Sequence, residues 1–100
     1  MSSIIEYVEE HFTESITAER IARELHFSET YVSHRFKDEM GITLYQYLLK
    51  KKLVHAFALI RSGTPATEAA QSCGFSDYSS FFRAYRSQFG HPPKEDAPRK

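Results

Sequence analysis

Residues 74–90 read GFSDYSSFFRAYRSQFG, and a closely matching phrase, HFSETYVSHRFKDEMG, occupies residues 26–41. Both phrases contain Phe-Ser followed by an acid, then hydroxyl-bearing residues, an aromatic residue flanked by bases, and a closing glycine. Each phrase follows a short stretch with apolar residues at helical spacing, a pattern that predicts a short helix, a turn and a second helix. The sequence therefore predicts two helix-turn-helix motifs in one chain.

The two copies align if one residue is inserted in the second copy. Phe27 matches Phe75 directly, but Gly41 matches Gly90 only if the second copy contains one extra residue. We place that residue early in the second helix of the second copy. Both phenylalanines are expected to fill their turns against the core.

Periodicity and capping residues predict an all-α fold of about seven helices, in which a long central helix joins the two motifs. This helix should begin after Thr43 and end at Ser62-Gly63, a rod of about 28 Å at 1.5 Å per residue. Pro92-Pro93 should begin a short last turn. The other predicted N-caps are Ser2 or Ser3, Thr17, Ser28, Thr64, and Ser76 or Asp77. The predicted organisation of residues 1–100 is a first helix-turn-helix subdomain at 2–41, a linker helix at 43–62 and a second subdomain at 64–97.

The bulk composition is that of one globular domain, with 100 residues of which 41% are hydrophobic and 26% charged. No apolar run approaches the roughly 18 residues that cross a bilayer, so no membrane partner is expected. The single cysteine, Cys73, excludes an internal disulfide and favours a reducing, cytoplasmic location.

The formal net charge is zero, but the charges are unevenly distributed. Residues 1–30 hold seven acids against two bases, whereas residues 31–100 hold eleven bases against six acids. A neutral total can therefore hide a basic face that attracts a polyanion. Such an asymmetry also arises by chance, and taken alone it leaves both interpretations open.

The second helix of each copy is predicted to have one face in the core and one face outward. Phe36 and Tyr85 should turn toward the core. The expected outward residues are Thr30, Ser33, His34 and Lys37 in the first copy, and Tyr78, Ser79, Phe82, Arg83 and Arg86 in the second. Hydroxyl, imidazole and guanidinium groups are suited to base edges and phosphates. The sequence therefore predicts two recognition helices, at about 28–39 and 77–89, separated by a length near the ~34 Å between successive major grooves.

Phosphate contacts are expected from Lys37 and Arg86, which come late in each recognition helix, and from Ser28 at a helix N-terminus. Lys51, which belongs to the Lys50–Lys52 run on the central helix, is also expected to contact phosphate. For that run, a solvated helix face is an equally open interpretation.

The segment AAQSCGFSDYSSFFRAYRSQFGHPPKE resembles the signature region of the AraC/XylS family of transcription regulators. Gly-Phe precedes the second recognition helix in that pattern, and an aromatic-Lys/Arg-x-x-Phe-Gly-x-x-Pro sequence ends it. The first half, including Arg-Phe-Lys before Gly41, is also similar, so the resemblance extends from about Ile4 to Ala97. It is a resemblance to the C-terminal DNA-binding domain of these regulators.

The resemblance implies sequence-specific binding of double-stranded DNA by a bacterial regulator of activator type, nucleoid-associated when bound, with both recognition helices in adjacent major grooves. Carried over by position, the base-contacting residues are Thr30, Ser33 and His34, and Tyr78, Ser79, Phe82 and Arg83. His34 and Phe82 depart from the family's pattern, since position 34 often holds arginine and Phe82 can make only apolar contacts. The resemblance also implies RNA polymerase as a partner and an N-terminal effector or dimerisation domain outside this chain.

Other classes of function have little support in the sequence. The five histidines pair with neither each other nor Cys73 at metal-ligand spacing, and no catalytic constellation or phosphate-binding glycine loop is present. No metal, cofactor or enzymatic activity is therefore expected. The remaining alternative is a protein-interaction module whose outer helices bind a partner such as RNA polymerase.

Overall fold

In a computed structural model of the chain, residues 2–98 are described, with side chains from Ser3 to Pro98. These residues contain six α-helices, one 3₁₀ helix and no strand, which confirms the all-α prediction. The α-helices are α1 (Ser2–His11), α2 (Ala18–Leu25), α3 (Glu29–Met40), α4 (Leu44–Arg61), α5 (Ala66–Ser72) and α6 (Tyr78–Phe89), and the 3₁₀ helix is Pro93–Asp96.

The chain divides into two compact units, one ending at Leu49 and the other beginning at Lys50. The boundary lies inside α4, so each unit contains part of the long helix together with its own helix-turn-helix motif. The sequence predicted a separate linker helix between two subdomains, with boundaries at 2–41, 43–62 and 64–97. This three-part division remains a prediction.

The first unit is built on apolar side chains from all four of its helical segments. The buried residues are Ile4, Val8, Ile16, Ile21, Ala22, Val32, Phe36, Leu44 and Leu48. Val32 and Phe36 are fully buried, so one face of α3 is committed to this core. The outer face of α3 is thereby held in a fixed orientation.

Polar contacts stabilise the loop that joins α1 to α2. The Glu14 carboxylate lies 2.7 Å from both His11 Nδ1 and Arg20 Nη2. These hydrogen bonds, first from His11 and then from Arg20, lower the pKa of Glu14. In the same unit, the Tyr47 hydroxyl donates to Glu9 over 3.0 Å and connects α4 to α1.

The second unit has a core centred on the buried rings of Phe81 and Tyr85. The buried apolar residues of this unit are Leu53, Ala56, Ile60, Ala69, Ala70, Cys73, Phe81, Tyr85 and Pro93. The Cys73 thiol is fully buried, and burial raises its pKa to about 11. A thiol with so little thiolate at neutral pH is unreactive, which agrees with a packing role.

A polar network closes the C-terminal end of this unit. The Tyr85 hydroxyl donates to the buried Asp96 carboxylate, and His91 Nε2 lies 2.7 Å from the same oxygen. Burial raises the pKa of Tyr85, and its hydrogen bond to Asp96 raises it further. The network holds the 3₁₀ helix against α6.

Three of the predicted N-caps are confirmed by hydrogen bonds. The side chains of Thr17, Ser28 and Asp77 accept from the backbone N–H groups of Arg20, Tyr31 and Ser80 at 3.1, 3.0 and 2.8 Å. The sequence offered either Ser76 or Asp77 as the cap of α6, and the structure shows that it is Asp77.

Thr43 forms a more complete cap than the sequence predicted. Its hydroxyl accepts from the Gln46 N–H at 3.1 Å, and the Gln46 side chain accepts from the Thr43 N–H at 3.0 Å. This reciprocal pair is a capping box, and it fixes the start of α4.

Two other cap predictions are wrong. Pro65 takes an extended backbone with ψ 143°, and its carbonyl accepts the first helical hydrogen bond from Ala69, so α5 begins at Ala66. Thr64 then lies one residue too early to cap the helix. At the N-terminus, α1 begins at Ser2, so Ser3 lies within the helix and does not cap it, and the side chain of Ser2 lies outside the described residues.

The register step lies in the turn, not in the second helix as predicted. α3 and α6 both have 12 residues and both end at a glycine in the left-handed region, Gly41 with φ 78° and Gly90 with φ 80°. Phe27 and Phe75 donate to equivalent carbonyls, those of Ala22 and Ala70. The extra residue therefore lies between Phe75 and the Asp77 cap, at Ser76.

The two turn phenylalanines also differ from each other. Phe75 is half-buried, with its ring centroid 5.1 Å from that of Phe81, as expected of a turn-filling residue. Phe27 is 39% exposed and packs beside the exposed ring of Tyr31 at 4.9 Å. The prediction for Phe27 is therefore wrong, although the residue before it, His26, has the same left-handed backbone as its counterpart Gly74, with φ 62° and 87°.

Candidate nucleic-acid interface

The register found in the turn makes α3 and α6 equivalent residue by residue. Both begin one residue after a side-chain cap, at Glu29 and Tyr78. The equivalent pairs on the outer faces are Thr30 with Ser79, Ser33 with Phe82, His34 with Arg83, and Lys37 with Arg86. Inward, Val32 and Phe36 are equivalent to Phe81 and Tyr85, and all four are fully buried. One face of each helix is core, and the other is available to a ligand.

On α3 the structure brings the predicted residues together on the exposed face. Thr30, Ser33, His34 and Lys37 are all exposed. Two hydroxyls, an imidazole and an ammonium group therefore face solvent along about two turns of helix. These are hydrogen-bonding groups suited to base edges and phosphate oxygens.

Ser28 has a structural role that qualifies its predicted contact with phosphate. Its Oγ accepts from the Tyr31 N–H at 3.0 Å, so the oxygen is used in capping α3. The side chain is exposed, and a capping hydroxyl still has its own hydrogen to donate.

On α6 the predicted face has a mixed character. Tyr78, Ser79, Arg83 and Arg86 are exposed, but Phe82 is half-buried. The Phe82 ring lies 6.2 Å from that of Tyr78, one helical turn earlier. The N-terminal half of this face is therefore aromatic, and its C-terminal half carries two guanidinium groups.

An acid at the start of α6 interacts with one of these guanidinium groups. The pKa of Asp77 is lowered, first by hydrogen bonds from the backbone and side chain of Ser80 and also by the positive charge of Arg83. The positive charge of Arg83 therefore helps to keep Asp77 ionised. We did not predict this partner. The signal for it is an acid at the cap six residues before an arginine.

The lysine run on α4 differs from residue to residue. Lys50 is exposed, whereas Lys51 and Lys52 are half-buried. Burial lowers the pKa of Lys52, and its ammonium lies 6.0 Å from the centroid of the Phe75 ring. Lys52 therefore packs within the second unit, and Lys51, the predicted phosphate contact, is only partly accessible.

A cavity of about 400 Å³ opens beside the outer face of α3. The residues that line it are Ile16, Thr17, Ala18, Ser33, His34, Lys37, Thr43, Leu44, Tyr45 and Leu48. Its lining is mostly apolar and includes three of the residues predicted to contact DNA, Ser33, His34 and Lys37. The concavity is part of the same face.

Within residues 2–98, no three or more His, Cys, Asp or Glu side chains are grouped so that they could hold a metal ion. None of the helices described is both long and apolar enough to span a bilayer.

Two helix-turn-helix units, each with a buried inner face and a polar or basic outer face on its second helix, define the DNA-binding domain of a transcription regulator. A sequence profile described as a helix-turn-helix domain matches residues 21–98. The chain belongs to the AraC-type helix-turn-helix family.

Curated relatives are transcription regulators. The chain is 36% identical over 94 residues to the probable transcriptional regulator LumQ of Photobacterium leiognathi, covering 93% of this chain and 38% of LumQ. It is 34% identical over 96 residues to the transcriptional activator RhaS of Escherichia fergusonii, covering 95% of this chain and 34% of RhaS. The chain thus spans little more than a third of the length of these relatives.

Solved structures share the fold. The C-terminal domain of the response regulator yesN from Fusobacterium nucleatum superposes with a TM-score of 0.89 at 28% identity, covering 97% of this chain and 96% of that one. The DNA-binding domain of AdpA, solved in complex with a target DNA, superposes with a TM-score of 0.86, covering 94% of this chain and 86% of that one. At 23% identity, the likeness to AdpA concerns the fold alone.

Proposed function

We propose that this chain reads duplex DNA with both of its helix-turn-helix units, by inserting α3 and α6 into adjacent major grooves. The observation that carries the proposal is the equivalence of the two helices. Each buries two residues at matching positions and exposes hydrogen-bonding or basic residues at three of the four matching outer positions, the exception being the half-buried Phe82. The exposed groups of either helix are those that recognise base edges and phosphates.

The base-reading residues proposed for α3 are Thr30, Ser33 and His34. Their hydroxyl and imidazole groups can donate to or accept from the edges of either purine. On α6 the proposed residues are Tyr78, Ser79, Phe82 and Arg83. Arg83 is expected to bind guanine O6 and N7 through two nitrogens, the strongest specific contact available to this face.

The proposed phosphate contacts lie on both units. Lys37 and Arg86 occupy equivalent positions one turn beyond the base-reading residues, and both are exposed. Ser28 can donate its hydroxyl hydrogen while capping α3. Lys51 contributes from α4, with part of its side chain exposed.

The remaining parts of the proposal concern the whole regulator. We infer an activator that acts on cytoplasmic, nucleoid-associated DNA and contacts RNA polymerase, with an N-terminal effector or dimerisation domain beyond this chain. The relatives that are longer than this chain, including one named as a transcriptional activator, support this inference. Nothing in the site assigns a catalytic role to any described residue.

The salt dependence of affinity distinguishes DNA binding from the alternative function, that of a protein-interaction module. Each neutralised phosphate contributes about −0.9 to the slope of log affinity against log salt. With Lys37, Lys51 and Arg86 bound to phosphates, fluorescence anisotropy of a labelled duplex between about 50 and 200 mM NaCl should give a slope near −3. A slope close to zero, or no measurable binding to duplex DNA, would favour the interaction module.

A matched control is available on the 3₁₀ helix. Lys94 is exposed but is assigned no contact with DNA. Lys94→Ala should therefore leave the salt slope unchanged, whereas Arg86→Ala should reduce its magnitude by about 0.9. Equal effects of the two substitutions would show that overall charge, not the proposed face, governs binding.

A further inference from the structure

The outer face of α6 carries an aromatic pair, Tyr78 and Phe82, at positions where the outer face of α3 has no aromatic residue. Tyr78 and Phe82 are one helical turn apart, and their rings lie 6.2 Å from centroid to centroid at 50°. Tyr78 is 40% exposed and Phe82 is half-buried, so both residues are partly accessible at the surface. The N-terminal part of a recognition helix is the part that contacts base edges.

The structure beneath this pair holds it in place. The Tyr78 ring packs against the fully buried ring of Phe81 at 5.7 Å, and Phe81 packs against Phe75 in the turn at 5.1 Å. An exposed side chain anchored on a buried one loses less freedom when a ligand covers it. The pair is therefore a preorganised apolar surface on a helix that is otherwise polar and basic outside.

An apolar surface placed in the major groove can pack against only one kind of apolar group on the bases. Among the four bases, only thymine presents an apolar group there, the C5-methyl. Resting on the proposed function, we propose that the Tyr78–Phe82 pair selects thymine by packing against the C5-methyl groups of one or two thymines. Arg83, the residue after Phe82, then reads a guanine close by.

The first recognition helix provides an internal comparison. The positions equivalent to Tyr78 and Phe82 hold Glu29 and Ser33, an acid and a hydroxyl. Neither forms an apolar surface. Selection of thymine by an aromatic pair is therefore expected in the half of the site that α6 reads.

The experiment replaces thymine by deoxyuridine, one position at a time, in a duplex that the wild-type chain binds specifically. Deoxyuridine keeps every hydrogen-bonding group and removes only the methyl. Burial of a methyl-sized group contributes about 0.8 kcal/mol, so each sensitive position should lose about fourfold in affinity. The loss that depends on Phe82 should occur at one or two thymines in one half of the site.

Two variants test whether Phe82 causes this sensitivity. Phe82→Ser introduces the residue found at the equivalent position of α3, and it should bind the thymine and deoxyuridine duplexes about equally. Phe82→Leu keeps an apolar side chain of lower volume and should retain the preference for thymine. Because Phe82 is half-buried, circular dichroism should confirm that both variants keep their helices.

Each outcome decides the inference. Sensitivity to deoxyuridine that disappears in Phe82→Ser and persists in Phe82→Leu supports it. Specific DNA binding with no sensitive thymine, or sensitivity unchanged in Phe82→Ser, overturns it and leaves the proposed function intact. Absence of any specific binding by the wild-type chain overturns both.

Discussion

The hydroxyl of Tyr85 donates a hydrogen bond to the carboxylate of Asp96 at 2.5 Å and so ties the C-terminal 3₁₀ helix to the recognition helix α6. Both residues are buried, and His91 supplies a second partner to the same oxygen. Tyr85 therefore has two roles, because it packs the inner face of α6 into the core and it holds the C-terminal 3₁₀ helix in place. The orientation of Arg83 and Arg86 on the outer face depends on the buried ring of Tyr85, which a substitution by phenylalanine would keep.

Removing the Tyr85 hydroxyl should destabilise the domain without altering its DNA contacts. Tyr85→Phe keeps the ring in the core but leaves Asp96 buried with one donor fewer, a loss of about 1–3 kcal/mol. Urea unfolding followed by circular dichroism at pH 7 measures this loss. Tyr45→Phe is the control, because Tyr45 is 73% exposed. This substitution should change the free energy of unfolding by less than about 0.5 kcal/mol. Equal stability of Tyr85→Phe and wild type would contradict the role assigned to the network.

The Asp96 carboxylate should make stability depend on acid pH. Burial pushes its pKa up, but hydrogen bonds from Tyr85 and His91 and the positive charge of Arg61 outweigh burial, so the pKa is lowered. A lowered pKa stabilises the fold above the unfolded value of about 3.9, and this stabilisation is lost as pH falls through the folded value. The stability advantage of wild type over Asp96→Asn should be full at pH 7 and shrink below about pH 4.

Urea titrations of both proteins from neutral to acid pH measure this difference. Glu14 and Asp77 also have lowered pKa values, so Asp96→Asn should still lose stability in acid, but less steeply. A constant difference between the two proteins at every pH would contradict the account.

The capping carboxylate of α6 gives a separate test. Asp77→Ala removes the acceptor of the Ser80 N–H and should cost about 0.5–2 kcal/mol in unfolding free energy. Asp77→Asn keeps a side-chain oxygen at the cap and should cost much less. Thermal unfolding of the two variants compares them directly. A larger loss in Asp77→Asn than in Asp77→Ala would show that charge, not capping, is what Asp77 contributes.

The outer faces of both recognition helices could be predicted because they follow from local periodicity. Once Phe36 and Tyr85 are placed inward, helical geometry places Lys37 and Arg86 outward. The caps at Thr17 and Ser28 were predictable for the same reason, since a cap depends on residues three positions apart.

What the sequence did not predict depends on contacts that are not local or on backbone angles at single residues. Asp96 reaches Tyr85 across eleven positions, and no periodic pattern identifies that pair. The extra residue at Ser76 could be placed in the turn only once the two caps were known. Phe82 was placed on the outward face, but it is half-buried, with its ring 6.2 Å from that of Tyr78.

Arg83 is expected to determine base preference in one half of the target. Arg83→Ala should cost about 1–3 kcal/mol in binding free energy and relax the preference at one base pair. Affinities for the preferred duplex and for single-base variants of it measure both effects. If Arg83→Ala weakens all sequences equally, then the side chain contacts the DNA backbone instead.

Lys37 is expected to bind phosphate and to carry no sequence information. Lys37→Ala should weaken all duplexes by a similar factor and reduce the magnitude of the salt slope by about 0.9. Titrations at several salt concentrations, on preferred and mismatched duplexes, measure this change. A loss confined to one base position would instead place Lys37 against a base.

The most direct test of the central claim, that both helices read bases, is selection of binding sites from a random duplex library with this chain at near-physiological salt. We predict an asymmetric motif of two parts, with centres roughly one helical turn, about 10 base pairs, apart. The part read by α6 should contain a guanine next to thymine. Enrichment of a single part would contradict the claim for one of the two helices, and enrichment of no sequence would contradict it for both.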